Sequence, residues 1–183
     1  NGGGISYFRH PLYGRLTRYR INDVPHDRPG KYVYVKDKDS GRIWSLTWQP
    51  AASPKESYRM AHGFGYSRSE SETEGVHASA LFFVPPEDDL EIWRCRLTNR
   101  SGKTRRLELT AYVELVMGNA LIDLINQCDD QHFIRIHFDR KANSLFATRT
   151  YWVTETLGTQ HQENKEWDRW LFFTANRPID SRP

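Results

Sequence analysis

Apolar and polar residues alternate along most of this 183-residue chain, with a period of two that is typical of half-buried β-strands. Turn-forming Gly, Pro, Asn and Asp residues interrupt the alternation every few residues. The pattern predicts an all-β, antiparallel protein. The predicted strands cover residues 5–9, 16–21, 31–36, 42–48, 57–68, 76–84, 90–99, 107–116, 133–138, 144–150 and 167–174.

The clearest local prediction is a β-hairpin over residues 31–48. The polar turn 37–41 ends in Gly41, where a positive φ is needed, and separates two alternating runs. Trp44 and Trp48 are four residues apart and are predicted to share a strand face. Burial of both indoles is the default interpretation, and an exposed pair that stacks on a sugar is the alternative.

The longest alternating run, 57–68, places five large side chains on one face and predicts a single core strand. The acidic stretch 69–74 that follows is predicted to be a turn. Residues 100–103 are predicted to form a hairpin turn that leads into 107–116, where five apolar residues form a stripe. The rhythm is lost over 119–130, which predicts at most a short helical turn near 120–126, or a structured loop.

Composition excludes several classes of protein. Charged residues make up 27 % of the chain, and no apolar run approaches the roughly 18 residues that a membrane helix needs. The net charge of +3 comes from scattered basic residues, which argues against a nucleic-acid partner. Cys95 and Cys128 lack the spacing of a zinc site, so we expect two reduced thiols in a cytoplasmic protein.

The sequence offers no convincing catalytic group. The acidic runs 70–74, 87–89 and 129–130 lie in predicted turns or loops, where charge is usually solvated. His132 and His137 are five residues apart and would point to opposite faces of a strand, so we expect no metal. Gly2–Gly4 lack the Lys and Ser or Thr of a phosphate-binding loop. We predict no catalytic residue in this chain.

Several segments, in order, resemble the N-terminal part of the cellobiose phosphorylase family. These are NGGG at 1–4, LTRYR at 16–20, NDVP at 22–25, DRPGKY at 27–32, WS at 44–45, WQP at 48–50, HGFGY at 62–66, AYVE at 111–114 and NA at 119–120. The family consists of inverting glycoside phosphorylases and includes chitobiose phosphorylase and cyclic β-1,2-glucan synthase as relatives.

The resemblance implies a β-supersandwich of two large sheets that is not itself catalytic. In the family, a following helical-barrel domain carries the catalytic acid, and inorganic phosphate is the co-substrate; no cofactor is implied. The expected reaction is phosphorolysis of a β-linked glucosyl disaccharide, such as cellobiose, to α-glucose 1-phosphate. We therefore expect residues 1–183 to be one sandwich domain, cut from a longer enzyme at both ends and inactive alone.

The resemblance also implies a homodimer in which the sandwich of one protomer borders the active site of the other. The residues that would form this wall of the substrate pocket lie in the predicted loop between 119 and 131. They are Asn126, Gln127, Asp129 and Asp130.

Two other functions remain open at this point. Six tryptophans, at 44, 48, 93, 152, 167 and 170, would allow a free-standing carbohydrate-binding module with a sugar-stacking surface. A purely structural dimerisation lobe would use the same residues as core. Addition of a β-glucan oligosaccharide would change the fluorescence of a surface Trp in a binding module and leave that of a lobe unchanged.

Overall fold

The computed structural model of the protein describes residues 4–18, 30–125, 131–150, 152–154, 163–165 and 169–180. The predicted all-β, antiparallel class is confirmed, and the short helix lies where a helical turn was predicted. The strands are β1 Arg15–Thr17, β2 Lys31–Asp37, β3 Ile43–Ser45, β4 Ser57–Gly63, β5 Tyr66–Thr73, β6 Val76–Phe83, β7 Ile92–Asn99, β8 Leu107–Val113, β9 Leu115–Gly118, β10 Ile134–Asp139, β11 Ser144–Arg149, β12 Trp152–Thr154, β13 Glu163–Lys165 and β14 Leu171–Thr174; the helix is α1 Ala120–Ile125, and Gln131–Phe133 form a 3₁₀ turn.

Among the described residues the strands form sheets of two to four strands, in the orders β3-β2-β8, β4-β5-β6-β7, β10-β11-β14, β1-β9 and β12-β13. The chain divides into two compact units. Unit 1 comprises residues 1–9 and 17–114, and unit 2 comprises residues 10–16 and 115–183.

In unit 1 the β3-β2-β8 and β4–β7 sheets share one hydrophobic core. Val35, Trp44 and Val76 are at most 1 % exposed and lie at its centre. Phe82 and Trp93 pack against this cluster with their rings edge to face, 5.7 Å apart. Strand alternation places these side chains on the inner faces, so the two sheets form a small sandwich.

The predicted β2–β3 hairpin is confirmed, with Val35 opposite Trp44. Its turn is built on Asp37, which is 1 % exposed and accepts hydrogen bonds from the backbone N–H of Asp39 at 2.8 Å and of Ser40 at 3.3 Å. Arg105 donates a further hydrogen bond to Asp37 at 2.5 Å. This hydrogen bond is the main reason why the pKa of Asp37 lies below its ordinary value.

The single strand predicted over 57–68 is wrong. Residues 57–63 and 66–73 are two antiparallel strands, β4 and β5, with Gly63 opposite Tyr66. Phe64 and Gly65 form the turn, Gly65 with φ of 81° and Phe64 with a fully exposed side chain. A positive φ is unfavourable for most residues but not for glycine, and this permits the sharp reversal.

The acidic turn predicted over 69–74 is also wrong, because 69–73 belong to β5. Ser69, Ser71 and Thr73 are at most 2 % exposed, and both serine hydroxyls donate to the carbonyl of Leu46, at 3.0 and 3.3 Å. The glutamates alternate with these small hydroxyl residues and lie on the other side of the strand. The stretch is thus part of a central strand, with small hydroxyl side chains on its buried face and glutamates on the other.

The hairpin predicted between 90–99 and 107–116 is not formed. Strand β7 pairs with β6, whereas β8 pairs with β2. The apolar stripe predicted along β8 is only partly buried, since Leu109 is 47 % exposed. Residues 100–106 therefore connect two different sheets.

Unit 2 contains the β10-β11-β14 sheet, the β12-β13 pair, α1 and β9. In the β10–β11 turn, Asn143 has φ of 49°. Its amide Nδ2 donates to the carbonyls of Ala175 and Arg177 at 2.9 and 2.8 Å, and its Oδ1 accepts the N–H of Ile179 at 2.7 Å. One side chain thus holds the segment that follows β14.

Candidate functional site

Helix α1 leads directly into the four residues predicted to border a substrate pocket. The Oδ1 atom of Asn119 accepts the backbone N–H groups of Leu121 at 2.8 Å and Ile122 at 3.4 Å, which is the arrangement of a helix N-cap. Asn126, Gln127, Asp129 and Asp130 follow the last residue of α1 and lie outside the described residues. Their role in a pocket stays a prediction.

The start of α1 is attached to neighbouring elements of unit 2. The backbone N–H of Ala120 donates to the carbonyl of Leu12 at 2.8 Å. Asp123 is only 4 % exposed. Burial lowers the pKa of Arg15, and the negative charge of Asp123 acts in the opposite direction. The guanidinium of Arg149, 3 % exposed, donates to the carbonyl of Val116 in β9 at 3.0 Å. The start of α1 is thus hydrogen-bonded to the residues before β1, and β9, which precedes α1, is bonded to β11.

The stacking pair predicted at Trp44 and Trp48 is not present as a pair. Strand β3 ends at Ser45 and the chain bends over 46–48, so the two indoles do not share a strand face. Trp44 is 1 % exposed in the core and has no face free for a sugar. Trp48 is 37 % exposed, and its stacking role stays a prediction.

An aromatic neighbour of Trp48 was missed in the sequence. Tyr58 in β4 lies with its ring centroid 6.2 Å from that of Trp48, at an angle of 54°. The two rings are ten residues apart in the chain and come together because residues 46–56 connect β3 to β4. Only the correct pairing of the strands could have revealed this contact from the sequence.

Lys55 lies in the same connection and has an unusual environment. Its Nζ donates to the backbone carbonyl of Ser45 at 2.7 Å. Burial lowers the pKa of the Lys55 ammonium to about 8, because removal from water penalises the charged form. A fraction of this amine is therefore neutral near physiological pH.

The remaining tryptophans differ in their access to solvent. Trp93 is half-buried, and its Nε1 donates to Glu91 at 2.6 Å, so it is part of the unit 1 structure. Trp170 is 64 % exposed. The side chains of Trp152 and Trp167 are outside the described part of the chain.

Most of the acidic residues considered as catalytic candidates are in ion pairs or exposed. Glu70 pairs with Arg68, Glu72 with Arg100, and Glu74 with Arg42 and Arg105. Residues 87–89 are exposed.

The described residues contain no group of three or more His, Cys, Asp or Glu that could hold a metal ion. None of their helices is long and apolar enough to cross a membrane.

Cys95 is a free, half-buried thiol in β7. Burial raises the pKa of its thiol to about 11, which keeps it in the unreactive protonated form. Cys128 lies outside the described residues.

Comparison with known proteins gives a consistent picture. Residues 1–182 match the family described as "Glycosyl hydrolase 94, supersandwich domain". N,N'-diacetylchitobiose phosphorylase of Vibrio proteolyticus is 40 % identical over 125 residues, which are 67 % of this chain and 16 % of that protein. Solabiose phosphorylase of Paenibacillus borealis is 37 % identical over 84 residues, 46 % of this chain and 11 % of that protein.

Cyclic beta-(1,2)-glucan synthase NdvB of Rhizobium meliloti (strain 1021) is 31 % identical over 152 residues, 82 % of this chain and 5 % of that protein. The chain thus spans no more than about a sixth of the curated relatives named here, as the 16 % covered in the Vibrio proteolyticus protein shows. The match over nearly all residues agrees with the antiparallel sandwich of unit 1. The chain belongs to the glycosyl hydrolase 94 supersandwich domain family.

Proposed function

We propose that this chain is the non-catalytic sandwich domain of an inverting disaccharide phosphorylase. The complete enzyme would cleave a β-linked glucosyl disaccharide, such as cellobiose, with inorganic phosphate and release α-glucose 1-phosphate. A helical-barrel domain of the same polypeptide would supply the catalytic acid. Phosphate is the co-substrate in this proposal, and no cofactor takes part.

The observation that carries the proposal is the family match over residues 1–182, together with relatives whose names are disaccharide phosphorylases. The described acidic side chains support the non-catalytic role, because Glu70, Glu72 and Glu74 are engaged by arginines.

The test is phosphate-dependent release of sugar 1-phosphate. It is measured with the 183-residue chain and with the longest polypeptide that the gene containing this chain encodes. Substrates are cellobiose and N,N'-diacetylchitobiose, and NMR gives the anomeric configuration of the product. We expect turnover by the longer polypeptide only, with an α-configured product. Turnover by the short chain, or none by the longer polypeptide with any β-linked disaccharide, would contradict the proposal.

We further propose that the enzyme is a homodimer in which residues 126–130 border the partner's substrate pocket. The double variant Asp129→Asn/Asp130→Asn should raise KM at least several-fold in the longer polypeptide. The matched control is Asp88→Asn/Asp89→Asn, which removes the same charge from an exposed turn and should leave KM unchanged. Sedimentation equilibrium tests the dimer, and a monomeric active enzyme would exclude this arrangement.

We propose a cytoplasmic location for the enzyme. The free thiol of Cys95 supports this, since reduced cysteines are typical of the cytoplasm. Fractionation of the source cells, with the chain detected by antibody, is the measurement.

A carbohydrate-binding module is the second candidate function, and the Trp48–Tyr58 contact favours it. Exposed aromatic rings are the usual platform for a sugar. Cello-oligosaccharide should change Trp fluorescence in the native protein and in Trp170→Ala, which retains Trp48, but not in Trp48→Ala. An unchanged signal in all three proteins would contradict the binding module.

A further inference from the structure

The outer face of the β4–β7 sheet concentrates arginines. Strand register aligns four residues in each transverse row: Arg59–Glu70–Ser79–Arg96 in one row and Ala61–Arg68–Leu81–Arg94 in the next. All four basic side chains in these rows are exposed, and all are Arg rather than Lys. We call these two rows and the neighbouring row Gly63–Tyr66–Phe83–Ile92 the arginine face.

The charge of this face is not balanced. Arg68 pairs with Glu70, and the adjacent Glu72 pairs with Arg100. Within the described residues, the side chains of Arg59, Arg94 and Arg96 form neither a hydrogen bond nor an ion pair. Three guanidinium groups on adjacent rows are therefore free to bind carboxylates, which they engage through paired N–H donors.

The third row adds an apolar strip to the basic rows. Tyr66 is 44 % exposed and Ile92 is 37 % exposed, with Phe83 between them in the register. Arg and Tyr are enriched at protein interfaces, whereas Lys, which is favoured on freely solvated surfaces, is depleted there. The composition of the arginine face is that of an interface.

The area of the arginine face limits the size of the partner that it can bind. With strands about 4.8 Å apart and residues about 3.4 Å apart along each strand, three rows across four strands cover roughly 400 Å². A stable interface between folded proteins buries about 800 Å² on each side. A short segment fits the available surface better than a second globular domain.

We propose that the arginine face docks an acidic protein segment, with carboxylates on Arg59, Arg94 and Arg96 and an apolar side chain against Tyr66 and Ile92. Charge complementarity carries the proposal. Glu70 lies between arginines in its row, where it would repel a continuous phosphate backbone, whereas the carboxylates of a peptide can be spaced to avoid it.

The test is fluorescence anisotropy of a labelled 10-residue peptide of alternating Glu and Leu, at 20 and 150 mM NaCl. We expect micromolar binding to the native 183-residue chain that weakens with salt. The triple variant R59Q/R94Q/R96Q should weaken binding at least tenfold. The matched control R135Q/R140Q/R177Q removes the same three charges from exposed sites in unit 2 and should change binding less than twofold.

Circular dichroism verifies that both triple variants are folded, and the peptide with Gln in place of Glu should not bind. Equal weakening by the two triple variants would overturn the proposal, because binding would then follow net charge alone. Tighter binding of a 10-nucleotide single strand or of anionic phospholipid vesicles than of the acidic peptide, lost in R59Q/R94Q/R96Q, would also overturn it.

Discussion

The Nζ of Lys31 lies 2.5 Å from Oε1 of Glu91, although the two residues are 60 positions apart in the chain. Their side chains are 11 % and 20 % exposed. Glu91 also accepts hydrogen bonds from the hydroxyl of Ser6 and the indole of Trp93, both at 2.6 Å. This carboxylate thus connects β2, the residues before β7 and the N-terminal segment of unit 1.

Replacement of Glu91 by Gln should lower the free energy of unfolding by about 2 kcal/mol, since Lys31 would keep its charge with a weaker partner. Urea unfolding is the measurement. The control is Glu108→Gln, which alters the Lys38–Glu108 pair at 3.5 Å, with side chains 53 % and 47 % exposed. An exposed pair contributes less than about 1 kcal/mol, so the control should remain near the native value. Equal losses would contradict the role given to Glu91.

Gly30 permits three backbone segments to approach closely. A Cβ at this position would lie 2.5 Å from the carbonyl oxygen of Arg18 and 2.9 Å from that of Glu114. Gly30→Ala should destabilise the protein by about 3 kcal/mol, the upper end for overpacking. Gly41→Ala is the control, because nothing lies within 4 Å of its Cβ and only its φ of 74° is unfavourable, at about 1 kcal/mol. Thermal unfolding measures the loss of stability in each variant. A smaller loss for Gly30→Ala than for Gly41→Ala would contradict the close backbone approach at Gly30.

Lys55 should make stability rise with pH in the alkaline range. Burial lowers its folded-state pKa to about 8, while the unfolded value is near 10.5. Between these values the unfolded chain binds the proton and the folded chain does not, so deprotonation favours folding. Urea unfolding of the native protein should therefore show stability rising from pH 8 to 10.5 relative to Lys55→Met. Lys103→Met, at an exposed site, should follow the native curve, and parallel curves for all three proteins would exclude the effect.

Asp37 should also make stability rise with pH, but in the acid range. Its pKa is held below the ordinary value mainly by the hydrogen bond from Arg105, so its contribution is present above about pH 4 and is lost as pH falls through the folded-state pKa. Asp37→Asn should lower Tm by several degrees at pH 7, and the difference from the native protein should shrink toward pH 2. The control Asp39→Asn, at a more exposed ion pair with Arg106, should cost less at pH 7. A pH-independent difference for Asp37→Asn would contradict the assignment.

The alternation of apolar and polar residues predicted the strand-rich class and the β2–β3 hairpin. It could do so because successive side chains of a strand point alternately to the inner and the outer face of a sheet. It failed at Phe64–Gly65, since a two-residue turn leaves the apolar spacing of 58, 60, 62, 64 and 66 unbroken while it reverses the chain. The glycine was the available signal for that turn.

Buried polar residues were the second source of error. The glutamate neighbours of Ser69 and Ser71 dominate the local pattern, which therefore predicts an acidic turn. Small hydroxyl groups are nevertheless easily buried once a carbonyl, here that of Leu46, accepts their hydrogen bonds. The neighbours of Trp48 and the rows of arginines depend on strand pairing over long separations, which local alternation does not specify. The family resemblance, in contrast, depended on ordered segments and needed no pairing.

The hydrogen bonds of the Asn143 side chain to residues 175–179 should change the hydrogen exchange of this segment. Residues 175–179 follow β14 outside any strand and would be expected to exchange their amide protons at rates close to those of an unfolded peptide. The N–H of Ile179 is instead donated to the Asn143 side chain at 2.7 Å. Its exchange therefore requires opening of the β10–β11 turn. The amide of Ile179, in an irregular segment, thus reports the local stability of a hairpin whose Asn143 lies 36 residues earlier in the chain.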